Sequence, residues 1–264
     1  MNGKGRSRLP LILVCFFAMT AGCVSLQLED ETAPSFEASV EAEYDVLRWH
    51  QEEKSGWVKP PPKRKQENSD WNVSSFRVRG QFSNTVTWYD ANGTLSEGLF
   101  EADVPLRAEG WSYRGRVSLM PGFAFGGGNV FLAALFGVEA VYMGMDLTHL
   151  DDPGKIDSMD FGIIDIPIGV HMEATLAHAV TPYFTYAYAP TAYTWGDASG
   201  GHFSRINFGF RLWPASLFSS PGPPLWIEGG WQWSTFDGSD FPLPESLEYE
   251  ILLSGPYGGI GWRF

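Results

Sequence analysis

From Trp71 to the end of this 264-residue chain, oily and polar side chains alternate with a period of two, which confines the segment to β-strands whose two faces meet different solvents. Phe76, Val78, Gly80, Phe82, Val86 and Trp88 share one face, and Arg77, Arg79, Gln81, Ser83, Thr85 and Thr87 the other. The division recurs in Phe100, Ala102, Val104 and Leu106 against Glu101, Asp103 and Arg107. It returns in Tyr113, Val117, Leu119, Phe123 and Phe125 against Ser112, Arg114, Arg116 and Ser118. It is clearest where Ile164, Ile166, Ile168, Val170, Met172, Ala174 and Leu176 oppose Asp165, Gly169, His171, Glu173 and Thr175. Residues 130–147 are the least tidy, being apolar on both faces apart from Glu139. Strands around 183–195, 203–213, 225–234 and 249–264 bring the expected total to nine segments.

The residues before Trp71 have a different character. Glu29, Asp30 and Glu31 open a polar tether; Phe36, Val40, Tyr44 and Leu47 then recur at three- and four-residue spacing beside Glu37, Glu41, Glu43 and Asp45. That spacing predicts a short amphipathic helix starting after Pro34. Lys59, Lys63, Arg64 and Lys65 surround Pro60, Pro61 and Pro62, whose rings stiffen an extended spacer. The basic cluster suits anionic headgroups or the cell wall, although a solvated linker explains it without a partner. The expected division is a leader over 1–22, a tether with a helix over 23–72, and one all-β domain over 73–264.

The two ends say where such a domain would reside. Met1 to Cys23 runs from Lys4, Arg6 and Arg8 through the apolar Leu9–Met19 to Thr20-Ala21-Gly22-Cys23, the pattern of a secretory signal. The tetrad resembles the lipobox of bacterial lipoproteins, which implies lipidation of Cys23; the alternative is an ordinary signal cleaved nearby, leaving Cys23 a free thiol. Val24 stands where an Asp would resemble an inner-membrane retention signal, so the resemblance implies the outer membrane. At the other end Ile260, Trp262 and Phe264 share a face opposite Gly259, Gly261 and Arg263. This resembles the carboxyl-terminal signature of bacterial outer-membrane β-barrel proteins, which implies an antiparallel up-and-down transmembrane barrel and recognition of the strand ending at Phe264 by barrel-assembly machinery. Trp71, Trp88, Tyr89, Trp111, Tyr142, Tyr183, Trp195, Trp226 and Trp262 suit interfacial girdles. In a soluble sandwich the same rings would form the core.

Nine segments conflict with an even antiparallel count when both barrel ends lie in the periplasm. Eight to ten strands are therefore expected, with the connections near 126–129, 178–182 and 214–224 on the inner side and those near 150–158, 196–201 and 237–248 outside.

The polar face bounds the chemistry. The chain carries a formal charge of −13, and loss of Lys4, Arg6 and Arg8 would make the mature protein more acidic still, which disfavours nucleic acid as a partner. With Cys15 in the leader and Cys23 acylated, no disulfide is expected. Arg77, Arg79, Arg114, Arg116, Arg205, Arg211 and Arg263 on the polar face can meet Glu101, Asp103, Glu139, Asp165, Glu173 and Glu228, with His171 beside Glu173. A barrel of about eight strands has room for little besides its own side chains, so a filled, charged lumen is expected; a merely wet polar face would permit a narrow pore. No metal or cofactor is expected, since the acidic loop residues match no calcium-loop spacing.

One pair hints at catalysis. His202 and Ser204 share a face, and a His beside a Ser can activate the hydroxyl toward an ester. The His-x-Ser spacing resembles the site of outer-membrane lipid A deacylases, but Arg205 stands where that family carries Asn. The expected role is thus structural or surface-interacting and non-catalytic, with a lipid-cutting enzyme and a soluble carrier of apolar ligands as the alternatives.

Overall fold

The computed structural model describes residues 24–48, 73–97, 104–154, 156–176, 179–196, 200–214, 225–239 and 247–264. They form one sheet of eleven strands: β1 (Val24–Asp30), β2 (Ser35–Arg48), β3 (Val73–Glu97), β4 (Val104–Phe125), β5 (Val130–His149), β6 (Ile156–Asp165), β7 (Ile168–Ala174), β8 (Val180–Gly196), β9 (Gly201–Leu212), β10 (Leu225–Ser239) and β11 (Leu247–Arg263). Pairing runs from β3 through β11 and returns through β1 and β2, so the hydrogen bonds close a ring.

Eleven strands occupy nine positions around that ring. β6 and β7 both lie between β5 and β8, interrupted at Ile166-Pro167, where Pro167 O still accepts from Gly137 N at 3.0 Å. β1 and β2 both lie between β3 and β11 and form a single stave. Between the pairs Asp30–Leu253 and Ser35–Tyr257 this stave gains one residue on β11, a bulge that moves the inward set from Leu26, Leu28 and Asp30 to Ala33, Ser35 and Glu37. Ala33 N donates to Ser254 O at 2.8 Å and Pro34 O accepts from Trp88 N at 3.0 Å, so the break remains stitched to both neighbours.

Two expectations are overturned here. The segment expected to be a helix after Pro34 is strand β2, and residues 24–48 belong to the sheet, not to a tether. Phe36, Val40 and Tyr44 are four residues apart, a spacing that satisfies a helix face and a strand face alike; Ala38 and Ala42 complete the strand face, and Leu47 falls out of phase because the register shifts between Asp45 and Leu47. The parity conflict disappears for a related reason. The stave runs parallel to β11, starting at the rim opposite Phe264, so the ring closes on one parallel seam while its other pairings are antiparallel. Residues 1–23 and 49–72, with the leader, Cys23, Trp71 and the proline spacer, lie outside the described residues.

The segments expected at 100–107 and 113–125 also change. Val104–Phe125 is a single strand with even residues inward, so Leu106 and Ala108 are fully buried while Arg107 and Glu109 face out. Lower on the same strand Arg114 and Arg116 point in while Val117, Leu119 and Phe123 point out. The apolar row crosses from the outer face to the inner one near Trp111, and the switch imitates a strand boundary. β5 does the same: Leu132, Phe136 and Val138 are exposed outside, whereas Val141, Met143, Met145 and Leu147 are buried inside. On β5 the inward Phe131, Ala133 and Leu135 are buried and apolar as well, so the first half of the strand is oily on both faces and the crossing carries the inward apolar row on to Leu147.

The interior therefore has two layers. At the rim where β1 begins, Leu26, Leu28, Leu106, Met143, Met145, Phe161, Ile163, Phe203, Phe236, Ile251 and Leu253 belong to one apolar cluster. Full burial of side chains such as Leu106 and Phe161 contributes about 1.5–3 kcal/mol each. Toward the rim holding Phe264, the inward side chains are mainly charged or polar, around a smaller apolar cluster of Met120, Ala124, Phe131, Ala133, Leu135 and Ala187.

Candidate functional site

The alternation within each strand aims the charged rows at the axis, and closure of the ring brings rows from distant strands together. β2, β3, β7, β9, β10 and β11 assemble the cluster nearer Phe264. Glu41 on β2, with no exposed surface, accepts from Arg263 Nη2 at 2.8 Å and lies 3.0 Å from Arg211 Nη1 and 3.8 Å from Arg79 Nε. Arg79, equally buried, donates to Glu43 at 2.7 Å and to Glu173 at 2.8 Å. Arg211 reaches Glu228 at 3.1 Å, and Arg77 bridges Glu43 at 3.1 Å and Asp45 at 3.0 Å. His171 is held between Thr185 at 2.8 Å and Glu173 at 3.3 Å. Such multiply bridged guanidiniums are what allow charge to persist away from water, because carboxylate oxygens take the place of much of the lost hydration, although Arg211 Nη1 and Glu41 Oε1 face each other without a hydrogen bond.

Aromatic rings complete this layer. Arg211 lies 4.8 Å from the Tyr183 ring and 5.1 Å from the Trp226 ring, and Arg263 lies 4.8 Å from Trp213. The Tyr183 hydroxyl donates to Glu228 and pairs with the Tyr257 hydroxyl. Space for the indole of Trp226 comes from Gly261, where a Cβ would fall 2.1 Å from the ring.

A second cluster lies farther along the axis, toward the apolar layer. Glu139 on β5 is fully buried, with Arg205 Nη2 at 2.7 Å and Arg114 Nε at 3.7 Å. Asp165 is buried at the position paired with Glu139, and Arg116 donates to Gln81 at 3.5 Å. Between the clusters a cavity of about 20 Å³ is lined by Gln81, Arg116, His171, Asn207, Arg211 and Glu228 among others. That is room for about one water molecule.

All seven arginines expected on the polar face thus point inward, with Glu139, Asp165, His171, Glu173 and Glu228. Glu101 and Asp103 lie outside the described residues. Sequence reasoning missed Glu37, Glu41, Glu43 and Asp45, whose strict alternation with Phe36, Ala38, Val40, Ala42 and Tyr44 was the available signal. Three residues expected in the girdles, Tyr89, Tyr183 and Trp226, are buried inside; Trp88, Trp111, Trp195 and Trp262 are exposed.

On the outer surface His202 and Ser204 share the face of Ile206. His202 Nε2 lies 3.1 Å from Asp237 Oδ2, and its ring packs on Tyr188 at 5.1 Å. Ser204 pairs across the sheet with Thr235 and Tyr188. Beyond the apolar part of the outer face, Arg107 forks onto Asp90 at 2.6 and 2.5 Å and holds its carboxyl below the usual aspartate range.

No group of three or more metal-ligating side chains occurs among the described residues. Comparison with family models, curated proteins and solved structures returns no match, so geometry alone bears on function.

Proposed function

We propose that this protein is an integral β-barrel of the bacterial outer membrane, lipid-anchored through Cys23, with a plugged lumen and a structural or surface-interaction role. The observation that carries the reading is the outward belt. Phe82, Val117, Leu119, Phe136, Val138, Ile166, Ile168, Val170, Phe208, Phe210 and Ile227 are exposed around the ring while arginines and carboxylates are buried behind them. A soluble monomer rarely exposes so much contiguous apolar surface.

The dimensions agree with a bilayer. The twelve steps from Trp111 to Phe123 span about 40 Å along the strand, and a tilt of about 45° projects them onto roughly 28 Å, close to the hydrocarbon thickness. The belt ends at Trp88, Trp111 and Trp195, the height at which the apolar row crosses to the interior and Asp90, Arg107 and Glu109 take over outside. Lipid below that height and water above it would account for the crossing. The packing of the described interior supports a closed barrel over a porin: an apolar layer lies across one end, and the cavity between the charged clusters has room for about one water.

Membrane fractionation combined with heat-modifiable gel mobility tests the reading. The expected result is a membrane pellet solubilised only by detergent and a band that shifts on boiling; release in aqueous buffer would overturn it. Planar-bilayer recording should show no stable, large open state.

The Asp237 contact favours one second reading, an esterase acting on lipid. Asp237 would orient His202 through Nε2, leaving Nδ1 to take the Ser204 proton as Oγ attacks an acyl carbonyl; the proton would then pass to the departing alcohol. Loss of acyl chains from lipopolysaccharide on expression, abolished by Ser204→Ala, would support it.

A further inference from the structure

We propose that the β1/β2 stave is an in-cis ligand of the β3–β11 wall: a strand-shaped plug seated in the seam between β3 and β11, with Glu41 filling an anion site made by Arg79, Arg211 and Arg263. The proposal goes beyond the membrane assignment and rests on the ring itself.

Topology separates the stave from the wall. β3 through β11 occupy eight positions, run alternately, and begin and end at one rim, so they satisfy by themselves the even antiparallel closure of a barrel. The stave is the odd ninth position and brings the parallel pairing. Parallel pairing is slightly weaker per residue, so its edge with β11 is the natural place for the ring to open.

Charge says what the seam selects. Within the charged layers the described wall points seven arginines inward against four carboxylates, Glu139, Asp165, Glu173 and Glu228. Glu173 and Glu228 are the wall carboxylates facing the Glu41 site, and they leave Arg263 without a wall carboxylate among the described contacts. β2 adds Glu37, Glu41, Glu43 and Asp45 on its inward face, bringing the interior close to neutrality. The partner that fits is therefore an amphipathic strand with carboxylates on one face and apolar side chains on the other. Phe36, Ala38, Val40, Ala42 and Tyr44 continue the belt while the glutamates enter the lumen.

Full-length protein with a protease site inserted between Arg48 and Val73 tests this in detergent, independently of where the protein resides in a cell. After cleavage, the nicked protein should exchange its own segment for a fluorescent synthetic peptide of residues 24–48. A peptide carrying Glu41→Gln and Glu43→Gln should compete about ten-fold or more weakly, since charge-assisted bonds are lost without altering shape. A disulfide between Ser39→Cys and Ser83→Cys, which face each other across β2 and β3, should block exchange until reduced. Release of the segment only on global unfolding, or equal competition by the Gln peptide, would overturn the proposal. Failure of membrane fractionation would overturn the membrane assignment and leave this result standing.

Discussion

Glu41 and Arg211 meet at 3.0 Å inside the ring although the first lies on the amino-terminal stave and the second at the end of β9. The contact joins a segment whose spacing imitates a helix to a strand recognisable from alternation alone. Because Arg79 and Arg263 converge on the same carboxylate, Glu41 ties the stave to three separate strands of the wall.

Removing that carboxylate leaves three guanidiniums around an empty buried site. Glu41→Ala should destabilise the protein by about 3–5 kcal/mol, the usual result of breaking one side of a buried ion pair. Glu41→Gln keeps the volume but loses the charge, and should fall between Ala and wild type. Urea titration in detergent, followed by the heat-modifiable band, measures both. Equal stability of Glu41→Ala and wild type would show that the cluster holds nothing together.

Trp226 and Gly261 make a separate test of the interior packing. A side chain at Gly261 starts with its Cβ 2.1 Å from the indole, on a face already full, so Gly261→Val should lose about 1–3 kcal/mol by overpacking. Combined with Trp226→Ala, the valine should cost much less than it does alone. A double-mutant cycle reads the coupling, and purely additive losses would mean that the two side chains do not share the space.

The exposed Arg107–Asp90 pair gives a small pH effect with a definite sign. Arg107 holds Asp90 below its ordinary 3.8, so the folded state binds that proton less readily than the unfolded one. The stabilisation is fully present well above that value and declines as pH falls through it. Asp90→Asn should flatten the acid limb of the stability curve slightly, and added salt should mute the difference. A difference growing toward alkaline pH would contradict the assignment.

The wall was legible in the sequence wherever a strand kept one solvent on each face: the row from Ile164 to Met172 and the inward Arg77, Arg79, Arg114 and Arg116 could be read directly. Legibility failed where the solvent changed along a strand. Leu106 and Leu119 lie on one continuous strand with opposite orientations, because the first is inside a dry cap and the second faces outward from the belt. Alternation alone cannot distinguish such a crossing from a turn. The carboxylate half of the network was hidden for another reason. Four-residue spacing of Phe36, Val40 and Tyr44 satisfies two geometries, and small Ala38 and Ala42 between them carry too weak an apolar signal to decide. Closure by a parallel seam depends on long-range pairing that no local pattern encodes.

The crossing on β4 gives the sharpest test of which solvent surrounds the ring. Val117→Arg and Leu119→Arg put a cation in the outward belt and, on the proposed membrane reading, should destabilise the protein by about 2–4 kcal/mol, the depth-dependent cost near a bilayer midplane. Glu109→Arg, on the same outward face but above Trp111, should change stability by less than about 1 kcal/mol. If water surrounded the whole ring, all three would fall within about 0.5 kcal/mol of wild type, as surface substitutions do. Leu106→Asp, facing inward, should be severe in either solvent because it buries a carboxylate in the apolar layer. Reversible folding into lipid vesicles, with the unfolding free energy of each variant measured by denaturant titration, separates the outcomes. A profile peaking at Val117 and Leu119 and vanishing at Glu109 would locate the hydrocarbon boundary near Trp111, whereas a flat profile would remove the membrane from the account.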